Sequence, residues 1–488
     1  MIRSLLTLCA LVALAPPLLA QTAPEKLPAG ITLQSLAIEP KQVSIDSPVS
    51  YAQVLLTATT STGDKIDVTR MVEIAAPAFV TVGTTGQVRP KGDGTGKIVF
   101  RVGGKSIELP VSVKNFTTEM KPSYIRDVMP VLARLGCNQG TCHGAEAGKN
   151  GFKLSLRGYD PLFDYRSLTD DLSGRRINRA APDSSLMLLK PTGAVPHVGG
   201  VMMAEGDPYY QTLRAWIAEG SRFDPKTPKV QSIEVTPASA VIALPGQKQQ
   251  VRVLARFADS TTRDVTTEAF LESSNTEVAT VDRAATITGI RRGETTVLVR
   301  YEGAYAATSI IVMGNRDGFV WKPTPGYNWI DELVYEKLQA VKIQPSDVCT
   351  DGEFLRRVTI DLTGTLPTVE ATRAFLADPT PSKEKREKLI DKLLASEDFV
   401  EHWTNKWADL LQVNRKFLGE SGARAFREWI RKAIASNMPY DQFVHTILTA
   451  KGSNIAEPPA SYYKVLRDAD AAMENTTQLF LGVRFNCN

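Results

Sequence analysis

Cys137-Asn138-Gln139-Gly140-Thr141-Cys142-His143 sets two thiols and an imidazole within seven residues. Two cysteines with a histidine directly after the second are what covalent haem attachment requires. Each thiol adds to a haem vinyl group as a thioether, and the adjacent imidazole reaches the iron as its fifth ligand. The common spacing leaves two residues between the cysteines, and here there are four. Gly140 is the residue expected to let the longer loop bulge while its ends stay close. Two other readings remain open. In an oxidising compartment Cys137 and Cys142 form a disulfide, and with His143 and His197 they make a zinc set.

A second iron ligand must come from nearby. His197 lies in Pro196-His197-Val198-Gly199-Gly200, and Met202 and Met203 follow. The whole chain has four histidines, and two fall in this stretch. His197 is the expected distal ligand, with Met202 or Met203, or an open position, as alternatives. Ligation by two histidines lowers the potential relative to His/Met.

The elements that position these groups occupy residues 119–223. Tyr124–Leu135 is amphipathic at helical spacing and stops at Gly136, immediately before Cys137. Tyr209–Glu219 is a second amphipathic helix stopped by Gly220. A helix running into the cysteines and a closing aromatic-bearing helix follow the plan of a class I cytochrome c. A haem would add the apolar burial that so small a domain needs.

On either side lies a repeat. Ser35–Pro40 recurs as Ser232–Pro237, Val68-Thr69 as Val265-Thr266, and Gly96 as Gly293, each pair separated by 197 residues. Both copies alternate polar and apolar residues over short runs, which predicts Ig-like β-sandwiches over 30–114 and 229–314. Gly92–Lys97 mimics a phosphate loop but precedes a β-run, so it reads as a hairpin turn. From about 324 to 488 the pattern is helical. Expected helices cover Asp331–Val341, Glu353–Thr359, Phe399–Leu411 and Ala423–Ala435, and two more open at Thr368 and Ser382 with capping hydroxyls.

Met1-Ile2-Arg3, the apolar run Leu5–Leu14 and the small Ala20 predict a secretory signal peptide over residues 1–20. Leu6-Thr7-Leu8 lacks the small residue that a lipid-anchored Cys9 would need before it. No later stretch has the roughly 20 apolar residues of a membrane helix. The mature protein is therefore expected to be periplasmic or secreted. At 488 residues, several domains are required. Lys+Arg 57 against Asp+Glu 53 gives a net charge of +4, with no nucleic-acid footprint. Four cysteines after signal removal are too few for a disulfide scaffold. No His-Glu-x-x-His, Gly-x-Ser-x-Gly or strand–glycine–helix nucleotide motif points to an enzyme. Asp170-Asp171 reads as solvated loop, His402 and His445 as helical core or surface residues, and Cys349 as a partly buried bystander.

Three families are recognisable. Residues 119–223 resemble the planctomycete-type cytochrome c domain in Leu135–Gly144, Gly151–Pro161, Pro196–Val201 and Tyr209–Ile217. That resemblance implies one haem c attached through Cys137 and Cys142, ligated by His143, with His197 opposite. The repeats resemble the bacterial Ig-like domain of group 2 in Asp67–Thr69, Asp264–Thr266, Ser274–Val281 and Gly293–Val297, with Ser274–Val281 decayed in the first copy to Ala78–Val82. The last part resembles the domain of unknown function that follows such cytochromes, in Phe354–Thr368, Leu389–Ser396 and Asn437–Phe443. In relatives Gly482–Cys487 runs on into a second haem motif. Here the chain stops at Asn488, so a truncated product or a gene fragment that cannot attach a second haem is expected, with a lone Cys487 thiol.

The expected fold is multidomain: two all-β Ig-like sandwiches flanking an α-helical class I-like cytochrome c domain, then an all-α domain over 324–488. The expected function is single-electron transfer to redox partner proteins in the periplasm, with protein or cell-surface contacts through the Ig-like modules. The alternative is a structural or adhesion protein whose cysteine loop carries no haem.

Overall fold

The computed structural model describes residues 25–316 and 318–484. The expected signal peptide and Cys487 lie outside them. Chain contacts divide the molecule after Gln344 into two compact units.

In the first unit, each repeat builds one β-sandwich-like set of three sheets. Leu33–Glu39, Leu55–Thr60 and Lys65–Asp67 form one antiparallel sheet. Lys105–Val113 pairs parallel with Val43–Ile45 and antiparallel with Gly94–Val102, which in turn pairs with Glu73–Ala75. Ala52–Gln53, Gln87–Pro90 and Val80–Val82 form the third. The second repeat has the same strand order, from Val230–Thr236 to Ala304–Val312. Alternation explains the burial. Ile98, Phe100 and Val102 point inward on one long strand, and Leu109, Val111 and Val113 meet them from the next. Val297, Val299, Tyr301, Ile310 and Val312 do the same in the second copy. Each such side chain contributes on the order of 1.5–3 kcal/mol by leaving water.

The ladders correct one sequence pairing. Strands up to Asp67 recur at an offset of 197, as Lys65–Asp67 and Thr262–Asp264 do. After Glu73–Ala75 the offset becomes 199, because the second copy inserts two residues before Ala279–Val281. Gly293 therefore corresponds to Gly94 and not to Gly96: Gly94 faces Val113, and Gly293 faces Val312. Both glycines are needed for close approach. A Cβ on Gly94 would lie 2.6 Å from Phe79, and one on Gly293 2.7 Å from Val278. Gly92–Lys97 is not a hairpin turn either, since Gln87–Pro90 and Gly94–Val102 belong to different sheets.

The two sandwiches clasp each other reciprocally. The Gln53 N–H donates to Asp264 Oδ2 at 2.8 Å, and the Gln250 N–H donates to Asp67 Oδ2 at 2.5 Å. All four residues are buried.

Residues 119–223 fold as short helices on this frame. A widened turn over Tyr124–Val128, capped by Ser123, continues as the α-helix Met129–Arg134. Pro161–Thr169, Leu186–Leu189 and Pro208–Ala218 are the other α-helices. Tyr124, Leu132, Leu154, Leu188, Leu213 and Trp216 form their common core. The module is pinned to the second sandwich by Asp127–Arg263 at 2.6 Å, by Arg134 donating to Ala269 O at 3.0 Å, and by the Tyr209 hydroxyl donating to Thr267 O at 2.9 Å. Asp170 and Asp171 are exposed.

The second unit is helical. Asp351–Thr363 opens with a Thr350/Glu353 capping box and ends at Gly364 in the left-handed region. Val369–Ala377, Ser382–Leu394, Glu397–Leu410, Arg415–Ala435, Tyr440–Thr449, Ser461–Leu466 and Ala469–Leu481 follow. Thr368 caps as expected, but Ser382 does not: Pro381 holds the cap position, and the Ser382 hydroxyl donates to Asp351. Arg415–Ala435 begins two turns earlier than expected, with a break at Gly419. Phe426, Ile430, Phe443, Ile447 and Tyr462 make the core. His402 packs against Gly364 and the edge of Trp403, His445 is exposed, and Cys349 is half-buried.

Candidate functional site

The helix Met129–Arg134 delivers the cysteine loop. Gly136 takes φ +79°, and the Cys137 N–H donates back to Leu132 O at 2.9 Å, so the first thiol leaves directly from the helix end. The four intervening residues are absorbed by turns. The Cys142 and Gly144 N–H groups both donate to Gln139 O, at 2.9 and 3.0 Å, and the His143 N–H donates to Cys137 O at 3.0 Å. That last bond joins the two ends of the motif. Gly140 is not what permits this. A Cβ there would only touch Leu156 at 3.6 Å, whereas one on Gly144 would sit 2.1 Å from Asn138 O. The glycine requirement is at Gly136 for its φ and at Gly144 for the close approach.

Cys137 and Cys142 are both free thiols, not a disulfide. Burial, helped by the neighbouring Cys142, pushes the Cys137 thiol up to about 12. Among the described residues, no group of three or more His, Cys, Asp and Glu is placed to hold a metal ion.

His143 Nδ1 lies 3.0 Å from Phe152 O, and its ring packs on the Phe152 ring with centroids 4.5 Å apart. A carbonyl can only accept, so Nδ1 carries the proton and Nε2 keeps its lone pair. Burial lowers the pKa of this imidazole, and the charges of His197, Arg176 and Lys190 add to the effect, against the Phe152 hydrogen bond. It is neutral at pH 7, as a ligand must be.

His197 repeats the arrangement. Its Nδ1 is 3.0 Å from Gly200 O, which again leaves Nε2 with the lone pair. Gly199 makes room for it, since a Cβ there would lie 2.8 Å from His197 Cε1. The Met202 and Met203 N–H groups both donate to Pro191 O, Met203 is 3% exposed in the core, and Met202 is half-buried against it. Three apolar side chains stand exposed on these loops: Leu156 beside Gly140, and Val198 and Val201 flanking His197.

Phe152, Arg176 and Gly199 are the site residues that sequence reasoning missed. Gly151–Pro161 and Pro196–Val201 mark the neighbourhoods of Phe152 and Gly199. No sequence signal ties Arg176 to His143.

Residues 329–488 match the family described as "Protein of unknown function (DUF1549)", PSCyt2, and residues 229–301 match the bacterial Ig-like domain (group 2). The chain carries both domains. None of the curated proteins matches. Among solved structures, surface layer protein SbsC domains 1–6 aligns at 12% identity over 58% of this chain and 28% of that one, with a TM-score of 0.17. SbsC domains 5–6 aligns at 12% identity over 59% and 100%, with a TM-score of 0.24. Drosophila OTK extracellular domains 3–5 aligns at 6% identity over 58% and 63%, with a TM-score of 0.12. No helix of the described residues is long and apolar enough to cross a membrane.

Proposed function

We propose that this protein is a periplasmic or secreted c-type cytochrome that binds one haem covalently through Cys137 and Cys142. His143 would be the proximal ligand, His197 the distal one, and the product an electron carrier for a periplasmic redox partner. One observation carries this reading: His143 and His197 are each pinned through Nδ1 to a main-chain carbonyl, which leaves two Nε2 lone pairs as ligand atoms. The donor set fits the group. The thiols are unlinked, and Leu156, Val198 and Val201 on the cysteine and His197 loops are exposed apolar side chains. When bound, haem c supplies one-electron redox chemistry. The chain's own residues orient both imidazoles through Phe152 O and Gly200 O, and anchor the module to the second sandwich through Arg263, Ala269 and Thr267.

The second reading is a haem-free structural protein. It is favoured by the reciprocal Gln53–Asp264 and Gln250–Asp67 clasp, which makes the Ig-like pair a frame in its own right.

Export together with a haem-attachment system separates the two. The electron-carrier reading expects a haem stain on a denaturing gel and a pyridine haemochrome spectrum. Either Cys137→Ala or Cys142→Ala should shift that spectrum toward one unreacted vinyl, and the double variant should lose the stain. An exported protein whose mass is that of the polypeptide alone, or one in which Cys137 and Cys142 are joined, overturns the reading and leaves the structural one.

A further inference from the structure

Arg176 is a buried guanidinium, 7% exposed, in the loop before Leu186–Leu189. It donates to Ser167 O at 2.8 Å and to Gly151 O at 3.3 Å. Its nearest carboxylate, Asp171, is 3.9 Å away and largely exposed, so the charge is incompletely neutralised. The Arg176 Cζ sits 4.2 Å from the centroid of the Phe152 ring. The Phe152 ring also packs on His143, and the Phe152 carbonyl accepts both the His143 Nδ1–H and the Lys149 N–H. The guanidinium thus binds the carbonyl before Phe152, covers the Phe152 ring, and through that residue grips the imidazole by ring and by hydrogen bond. Burying a cation is costly unless something specific is gained.

We propose that Arg176, Phe152 and His143 form a lever in which the buried guanidinium holds the His143 imidazole in its Nδ1–H tautomer, so that Arg176 is a positioning residue for the ligand nitrogen. The tautomer part stands on the polypeptide alone, and the consequence for iron rests on the haem reading above. A fixed positive charge near the imidazole disfavours the more positive oxidised iron, so removing it lowers the midpoint potential.

The test uses the full chain in two forms. In the haem-free form with 15N-labelled histidine, the His143 resonances of the wild type show the Nδ1–H pattern. Arg176→Met and Phe152→Leu shift them toward the Nε2–H pattern that a free imidazole prefers, and Arg176→Lys, which keeps a cation over the ring, shifts them less. If Arg176→Met does not fold, Phe152→Leu and Arg176→Lys still decide. Variants that melt earlier but keep the wild-type His143 pattern when folded overturn the proposal. In the haem-loaded form, the midpoint potential falls in Arg176→Met and is retained in Arg176→Lys; an equal fall in both overturns the electrostatic part. Failure of the wild type to take up haem would sink the proposed function and leave the tautomer result standing.

Discussion

His143 and His197 reach the same tautomer by different local means. His143 is held by Phe152, a residue packed into the module's core, whereas His197 leans on Gly200 within its own exposed loop. The two should therefore respond differently to substitution. In Gly199→Ala the new methyl meets the His197 ring at 2.8 Å, and the ring is the part free to move. The fold should lose no more than about 0.5 kcal/mol, as at other surface sites. The haem-loaded protein should pass from a low-spin to a mixed-spin absorption spectrum. An unchanged spectrum would remove His197 from the ligand set. Gly144→Ala should behave in the opposite way. Its methyl would meet Asn138 O at 2.1 Å, and that oxygen is itself fixed by the Arg157 N–H at 2.9 Å. The loop must open, and the yield of attached haem should fall several-fold with the histidines untouched.

At the level of elements, the reciprocal clasp decides how the two sandwiches are held. Asp264 accepts from the Gln53 N–H, the Thr266 N–H and hydroxyl, and Arg252, while burial still raises its pKa above the usual carboxylate value. Asp67 accepts from the Gln250 N–H, the Thr69 N–H and Arg70. Asp264→Ala leaves the Gln53 and Thr266 amide donors without their acceptor and leaves the half-buried Arg252 only the exposed Glu39 at 3.8 Å, so a loss of about 3 kcal/mol is expected in urea unfolding. Asp67→Ala should cost a similar amount. The double variant should cost less than the sum, because each single change already opens the shared interface; strict additivity would mean that the two contacts are independent. Little of this was legible in the chain. The 197-residue repeat and the inward alternation of Ile98–Val102 are local patterns, and so is the cysteine–histidine motif. The clasp joins residues 211 and 183 positions apart, and no local pattern marks it. The Gly96–Gly293 pairing failed for a related reason: a fixed sequence offset cannot register a two-residue insertion that the strand ladder absorbs. Ser382 failed because a hydroxyl at a helix start can be drawn to a carboxylate such as Asp351 instead of capping.

Across the first unit as a whole, the hairpin joining Gly293–Tyr301 to Ala304–Val312 adds an electrostatic link between the second sandwich and the 119–223 module, beside the Arg263, Ala269 and Thr267 contacts. Glu302 and Gly303 form its tip with φ of 46° and 81°, and Glu302 is an unusual choice where glycine or asparagine turns most easily. Burial, then the nearby Asp164, pushes the Glu302 carboxyl up to about 8. Burial also raises Asp164 to about 6, against two hydrogen bonds from Ser155 and with a further push from Asp160. The other titratable groups that feel Glu302 are the phenols of Tyr124 and Tyr301, both in the protonated state. Near neutral pH the folded joint therefore holds Glu302 protonated, whereas the unfolded chain has released that proton above about pH 4.5. The folded state binds the extra proton, so stability falls as pH rises from that value to about 8, and is level beyond it. Partial solvent access of Glu302 reduces the total to roughly 1–2 kcal/mol. The melting temperature of the full chain should thus be lower at pH 8.5 than at pH 5.5. Glu302→Gln, which keeps the shape and removes the titration, should flatten that slope and be more stable than the wild type at the higher pH. Asp164→Asn should flatten it too, but lower stability at both values, because the Ser155 amide and hydroxyl lose a carboxylate acceptor. An identical slope in wild type and Glu302→Gln would place the proton elsewhere and leave the hairpin as a simple packing contact.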